Sequence, residues 1–144
     1  VLTVTGLDVQ GQGPFARTRG RTATYNELLR GIAEDHGVHI IDYWRWNDFL
    51  DWRLWADDRL HMNDLGHERF ASRVLAQLGL PGVITESVLP PEVQLTAREK
   101  IEQEARWVRE FALPWIGRRL KGTSSGDGVT PKYPDWVPAA SLKN

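Results

Sequence analysis

The sequence contains no cysteine and no long apolar run, and it has no excess of charge of one sign. Without cysteine the chain forms no disulfide and offers no thiolate to a metal, which is compatible with a reducing cytoplasm without requiring one. No stretch approaches the roughly 18 consecutive apolar residues that a transmembrane helix needs, so we expect no membrane span. Because 18 basic and 19 acidic residues leave a net charge of −1, the balance gives no reason to expect nucleic-acid binding or a general attraction to anionic membranes.

What the sequence does contain is the composition of an ordinary globular domain. Of its 144 residues, 41% are hydrophobic and 26% are charged, which suits about one domain. We interpret the short basic clusters at residues 17–21 and 118–121 as solvated surface. Val1 is not an initiator, and the only methionine is Met62. We therefore expect polypeptide upstream of Val1, and the localisation of the protein is left open.

The most informative motif is Asp58-Arg59-Leu60-His61, in which a carboxylate precedes a histidine by three residues in a turn. At this spacing the carboxylate can accept a hydrogen bond from Nδ1 of the imidazole, which fixes the tautomer and leaves Nε2 to deprotonate a hydroxyl. Asp58 and His61 are therefore candidate catalytic residues. No serine lies in the setting of a nucleophile elbow. The sequence therefore offers no evident nucleophilic hydroxyl for His61 to deprotonate.

The pattern before this motif predicts a parallel α/β arrangement. An apolar, β-branched run predicts a strand over residues 1–5, followed by a glycine- and arginine-rich loop over 6–22. A capping box predicts that a helix opens at Thr24 and ends at Gly37, after which residues 38–42 form a second strand. Strand, helix and strand in this order favour a parallel sheet with a right-handed crossover.

The motif itself lies between a tryptophan-rich segment and a helix. We expect residues 44–55 to form short helices and turns, and a helix capped by Asn63 or Asp64 to end at Gly79. This order places the Asp58 to His61 turn near the carboxyl ends of the strands, where open α/β sheets bind their ligands.

The last third of the chain predicts one long helix and an aperiodic tail. A second capping box at Thr96 opens a helical pattern that runs to about Leu120, and Pro114 should kink or end it near Leu113. The predicted buried stripe of this helix consists of Ile101, Ala105, Val108, Phe111 and Trp115. We expect residues 1–121 to belong to one domain and residues 122–144 to form an extended or poorly ordered tail, in which Trp136 is the one residue that could pack.

The motif and its surroundings resemble a known family. Asp58 to His61, followed by Asn63, Gly66 and His67, is similar to the last sequence block of the SGNH hydrolases, also called the GDSL esterase/lipase family. The resemblance extends to the helix at residues 25–29 and the strand at 37–42, and residues 120–128 resemble the tail of some actinobacterial members.

This resemblance implies a fold and an activity. The fold would be a three-layer α/β/α hydrolase with a parallel sheet, of which this chain carries the C-terminal half. The activity would be hydrolysis of a small-molecule ester through a serine, without metal or organic cofactor. In that reaction His61 would be the general base and then the general acid, and Asp58 would orient it.

The chain also departs from the family pattern. The blocks that supply the family's nucleophilic serine and its oxyanion glycine and asparagine lie N-terminal to the region matched here, and this sequence lacks them. We therefore expect the serine to come from a missing N-terminal half of the same domain, and the chain alone to be inactive. Ser125-Gly126-Asp127 reverses the family's Gly-Asp-Ser order and is interpreted as a loop. Arg59 and Met62 stand where many members have glycine and proline.

Two other classes of function stay open. The first is a divalent metal site built from Asp57, Asp58, His61, Asp64 and His67. The six-residue separation of His61 and His67 argues against it, since helical metal pairs use three or four. The second is a non-catalytic domain whose tryptophans bind carbohydrate or protein, although aromatic residues at such spacing are more often core. We expect a packing or helix-start role for His67, and a surface or dipole-complementing role for His36 and His39.

Overall fold

The computed structural model describes residues 2–8, 13–124, 126–138 and 141. Contacts within the chain divide it into two compact units, Val1–Gln94 and Leu95–Asn144. That residues 1–121 form part of one hydrolase-like domain stays a prediction.

The first unit contains a small parallel sheet. Strand β1 (Leu2–Val4) pairs with strand β2 (His39–Ile41) in a parallel register in which Val4 lies opposite Ile41. Helix α1 (Arg19–His36) connects the two strands. The β-branched residues of both segments favour extended backbone. The predicted mixed α/β fold with parallel strands is confirmed.

Helix α1 begins earlier than the sequence predicted. Residues Gly13–Thr18 form a 3₁₀ helix and α1 starts at Arg19, so the predicted loop over 6–22 is wrong in its second half. Thr24 is not a cap, because its hydroxyl donates to the carbonyl of Gly20 one turn earlier (3.1 Å). Arg19 instead forms an ion pair with Asp8 at the start of the helix. The helix ends as predicted at Gly37, which adopts a positive φ of 61°.

The core of this unit follows β2 directly. Three short 3₁₀ helices, Tyr43–Arg45, Asn47–Leu50 and Trp52–Leu54, bring aromatic side chains together, as the tryptophan-rich pattern predicted. The buried cluster consists of Ile41, Tyr43, Trp46, Phe49 and Leu54. Edge-to-face contacts join Tyr43 to Trp46, Phe49 and Phe70, a preferred geometry for aromatic pairs.

Helix α2 (Asp64–Gln77) packs on this core through Leu65, Phe70 and Val74. Its N-cap is Asn63, and Gly79 follows its end with a φ of 80°. The predicted bounds of this helix are therefore confirmed. Because α2 packs on the core, its first turn is fixed in position and can anchor the residues that precede it.

The second unit is helical. Helix α3 (Ala97–Trp107) opens with the predicted capping box of Thr96 and Glu99, a π-helical turn follows over Val108–Ala112, and helix α4 (Leu113–Leu120) has Pro114 in its first turn. The helix type thus changes next to the predicted interruption at Pro114. No helix among the described residues has the length and apolarity to cross a membrane.

The predicted buried stripe is wrong. None of the described residues of α3, the π-helical turn or α4 is buried, and Ile101 is 69% exposed. Helical spacing of apolar residues selects a face but does not supply the surface that would cover it. In the tail, Trp136 is fully exposed and so does not pack the segment. Ser125, the residue of the reversed Gly-Asp-Ser order, lies outside the described residues.

Candidate active site

The Asp58 to His61 motif lies at the tip of a tight hairpin, residues 55–63, which we call the Asp–His turn. Trp55 and Met62 form an antiparallel bridge, and the Ala56 N–H donates to the carbonyl of His61 (2.8 Å). Inside the hairpin the Arg59 N–H donates to the carbonyl of Ala56 (2.9 Å), which closes the reversal. Backbone hydrogen bonds therefore close the hairpin on which the motif lies.

The structure brings the two predicted catalytic side chains together. Asp58 Oδ2 lies 2.6 Å from His61 Nδ1, while Oδ1 accepts the backbone N–H groups of Leu60 (2.9 Å) and His61 (3.0 Å). An ionised carboxylate only accepts hydrogen bonds, so Nδ1 is the donor. In the neutral ring Nε2 is then the nitrogen with a free lone pair, and it can take a proton from another group.

The electrostatics of Asp58 favour the ionised form. Burial raises the pKa of Asp58, but the hydrogen bonds from the His61 backbone N–H, the His61 ring and the Leu60 N–H outweigh it, and the net pKa lies below the ordinary value of 3.8. The carboxylate is 26% exposed and the imidazole 75% exposed. The acid is therefore shielded, while the ring is open to an approaching group.

Asn63 anchors the turn to helix α2. Its side-chain oxygen accepts the Gly66 N–H (3.0 Å) and caps the helix, while its amide nitrogen donates to the carbonyls of Arg53 (2.8 Å) and Trp55 (3.2 Å). The sequence predicted a cap at Asn63 or Asp64, and the structure assigns it to Asn63. The sequence did not predict the two hydrogen bonds that the Asn63 amide nitrogen donates. The only signal for them is that an asparagine side chain both donates and accepts, whereas an ionised aspartate only accepts.

Gly66 allows α2 to lie against the segment before the turn. A Cβ built on Gly66 would lie 2.2 Å from the carbonyl oxygen of Leu54 and 3.0 Å from Met62 Cβ. Only glycine fits this contact without movement of the backbone. Gly66 thus allows the short distance between α2 and the segment that leads into the turn.

Arg59 occupies the strained position of the turn. It is the only non-glycine residue with a positive φ (60°) in the described part of the chain, a conformation that costs most residues about 1 kcal/mol. Many members of the resembled family have glycine here, and the backbone angle explains that preference. The Arg59 guanidinium lies 5.8 Å from the centre of the Trp52 ring.

The metal alternative receives no support. The two aspartates flanking the motif, Asp57 and Asp64, are exposed, as is His67 on α2. Nowhere in the described ranges do three or more histidine and acidic side chains come close enough together to hold a metal ion. His36 and His39 are exposed at the end of α1 and in β2, away from this turn in the sequence.

The tryptophans are divided between core and surface. Trp46 is 6% exposed and belongs to the core. Trp44 and Trp55 are half-buried, and the Trp55 ring N–H donates to the carbonyl of Phe49 (2.8 Å). Trp52 is exposed. The core interpretation is thus confirmed for Trp46, and Trp52 is the only one of the four that offers an exposed face.

The Asp–His turn does not line either of two depressions on the first unit. Two shallow depressions occur elsewhere on this unit, one lined by α1 residues and Trp44, the other by Asp8, Trp44, Arg45 and Asn47. Neither contains Asp58 or His61. The imidazole therefore does not share a pocket with either depression.

Comparison with known proteins places the turn within a hydrolase family. Residues 1–69 match the family model of the GDSL-like Lipase/Acylhydrolase family, a range that contains β1, α1, β2 and the whole Asp–His turn. The mixed α/β fold with a parallel sheet is the class of fold that the match implies. Over this range the chain is similar to the GDSL-like lipases and acylhydrolases, also called the SGNH hydrolases, and the similarity suggests hydrolase activity on acyl compounds. No curated protein and no solved structure matches the chain.

Proposed function

We propose that this chain supplies the acid and the base of a serine ester hydrolase. The observation that carries the proposal is the 2.6 Å contact between Asp58 Oδ2 and His61 Nδ1, made by a ring that is 75% exposed. Such a contact is the orienting half of a Ser-His-Asp triad. The family match over residues 1–69 supports the same class of reaction.

The nucleophile in this proposal comes from polypeptide outside the 144 residues. Of the described serines, Ser72 lies within α2 and Ser87 lies in the connection after it, where its N–H donates to Glu68. None of the described serines is hydrogen-bonded to His61. The exposed edge of the imidazole is the surface that a serine from another part of the same domain would meet.

The reaction then proceeds by acyl transfer. His61 Nε2 takes the proton of the serine hydroxyl while the serine oxygen attacks the ester carbonyl, and the resulting imidazolium is stabilised by ionised Asp58. When the tetrahedral intermediate collapses, the carbon–oxygen bond to the alcohol breaks and the imidazolium gives its proton to the departing alkoxide. Nε2 next deprotonates a water molecule as that water attacks the acyl-enzyme. When the second tetrahedral intermediate collapses, the bond between the acyl carbon and the serine oxygen breaks, the imidazolium returns the proton to the serine oxygen, and the carboxylic acid leaves.

The test is a pair of histidine variants in the protein that carries this chain together with the polypeptide preceding it. His61→Ala should lower kcat for a short-chain aryl ester by about 10⁴-fold or more, because it removes the base. His67→Ala is the matched control, since this exposed histidine lies six residues further on in α2, and its kcat should stay within about threefold of wild type. Equal losses in both variants, or retained turnover in His61→Ala, would remove His61 from the mechanism.

A second measurement concerns the chain by itself. The purified 144-residue chain should not hydrolyse the same ester, because a base without its nucleophile assists only the direct attack of water. A rate near that of the longer protein would locate the nucleophile within these residues and would overturn the proposed division between the two parts.

A further inference from the structure

The second unit carries a helical face whose apolar residues are exposed among the described residues. In α4, Leu113, Ile116 and Leu120 recur at intervals of three and four residues, which places them on one face of the helix. They are 56%, 44% and 84% exposed, and Trp115 is 48% exposed. Exposed apolar residues gathered on one helix face mark a binding surface.

This face is accompanied by positive charge. Residues 106–121 contain five basic residues, Arg106, Arg109, Arg118, Arg119 and Lys121, and a single acidic residue, Glu110. The whole chain, in contrast, has a net charge of −1. The positive charge is therefore concentrated on the segment whose apolar residues are exposed, and it selects an anionic partner.

The far end of α4 has the chemistry of a water–lipid boundary. The Arg119 guanidinium lies 5.4 Å from the centre of the Trp115 ring, so a cation and an indole share one patch of surface. Arg118 and Arg119 lie in the last turn of α4 beside Leu120, and Lys121 follows directly. Aliphatic side chains on one face with basic and indole groups beside them are typical of helices that lie in the membrane interface.

We propose that residues 106–121, which we call the basic helix, dock on the surface of an anionic phospholipid bilayer. Leu113, Ile116 and Leu120 enter the boundary between headgroups and acyl chains, while the basic side chains contact lipid phosphates. The attachment is reversible, because one short amphipathic helix supplies little apolar area. This proposal is independent of the catalytic assignment, since it uses no residue of the Asp–His turn.

The test is flotation of the full chain with lipid vesicles. The chain should float with vesicles of equal parts phosphatidylcholine and phosphatidylglycerol, but not with phosphatidylcholine alone. Binding should weaken as salt is added, because salt screens the attraction between the basic side chains and the lipid phosphates.

Two variants with matched controls locate the surface. Ile116→Glu should abolish flotation, whereas Val88→Glu, at an apolar residue outside the helix that is 92% exposed, should leave it unchanged. Arg118→Gln with Arg119→Gln should weaken binding by about 30-fold, at about 1 kcal/mol for each basic residue near the surface. The control pair, Arg98→Gln with Lys100→Gln on α3, should change binding by less than about twofold on the same scale.

Several results would overturn the proposal. The first is an absence of flotation with anionic vesicles, and the second is equal binding to neutral vesicles. The third is a loss of binding in the control variants as large as the loss in Ile116→Glu or in the Arg118→Gln, Arg119→Gln variant. A concentration-dependent dimer in gel filtration that Ile116→Glu dissolves would assign the face to a second copy of the chain instead. Circular dichroism checks that the variants keep their helix, and Leu120→Ser repeats the apolar test at the last residue of α4, where the helix is least sensitive.

Discussion

The two oxygens of the Asp58 carboxylate have different partners, and the proposed reaction uses both contacts. Its Oδ1 accepts two backbone N–H groups within the turn, and its Oδ2 is left for the His61 ring. The backbone bonds fix where the carboxylate lies before any proton is transferred. This is why the imidazole can be three-quarters exposed and still be oriented.

The lowered pKa of Asp58 gives a prediction about stability in acid. A carboxyl group whose pKa is lower in the folded state contributes stability above its ordinary value of 3.8, and the contribution is lost as the pH falls through the folded-state pKa. Asp58→Asn should therefore be less stable than wild type at pH 7, and the difference should shrink as the pH falls below 3.8 and vanish below the folded-state pKa. Urea unfolding at a series of pH values measures it. A difference independent of pH would mean that the ionised carboxylate is not what the turn requires.

Tyr43 offers a second prediction at this scale. Its hydroxyl is buried without a hydrogen-bond partner among the described residues, and burial, with the nearby Asp48 carboxylate, raises the pKa of Tyr43. An unsatisfied buried hydroxyl costs about 1 kcal/mol or more. Tyr43→Phe should thus raise the free energy of unfolding by up to about 1 kcal/mol. Tyr133→Phe, at an exposed tyrosine, is the control and should have no effect. Loss of stability in Tyr43→Phe would show that the hydroxyl has a partner in solution.

At the scale of elements, the position of the Asp–His turn depends on the contact between α2 and the segment before the turn. Asn63 ties the helix start to Arg53 and Trp55, and Gly66 lets the helix approach the carbonyl of Leu54. The turn is therefore held at both of its ends by one helix terminus. The position of the imidazole therefore depends on Asn63 and Gly66, which lie outside the Asp58–His61 pair.

Gly66→Ala tests this contact. The added Cβ would clash with the carbonyl oxygen of Leu54, so the variant should lose about 2 kcal/mol of stability and should also lower kcat as the turn is displaced. Gly31→Ala is the matched control, because nothing lies within 4 Å of its Cβ position on α1. It should be neutral or more stable by about 0.5 to 1 kcal/mol, the usual gain for alanine in a helix. Thermal unfolding and ester kinetics report the two effects. A harmless Gly66→Ala would show that α2 can move without disturbing the site.

The sequence predicted those elements whose signals are local. The parallel strands, the end of α1 at Gly37, the cap at Asn63 and the capping box at Thr96 each follow from a few adjacent residues, and the structure has all of them. The start of α1 at Arg19 was missed because capping spacing at Thr24 imitates a helix start. The buried stripe of α3 was wrong because burial depends on what lies opposite, which no local pattern contains. For the same reason Asp58 and His61 could be paired by their spacing, whereas the amide bonds of Asn63 could not be predicted.

At the scale of the whole molecule, only the N-terminal part of the chain matches a known family. The match to the acylhydrolase family covers residues 1–69 and ends within α2, beyond the Asp–His turn. The second unit begins at Leu95 and has exposed apolar and basic residues instead of a core. Catalysis is therefore assigned to the first unit and docking to the second, and the two assignments are tested separately.

The central claim is that Asp58 acts on the proposed reaction only through His61. A double-mutant cycle measures this directly in a protein that carries this chain together with the proposed nucleophile. Asp58→Asn alone should lower kcat for the aryl ester by about 10² to 10⁴-fold. In the His61→Ala background the same substitution should change kcat by less than about twofold, because the ring that it orients is gone. Equal losses from Asp58→Asn in both backgrounds would contradict the account, since the carboxylate would then act without the imidazole.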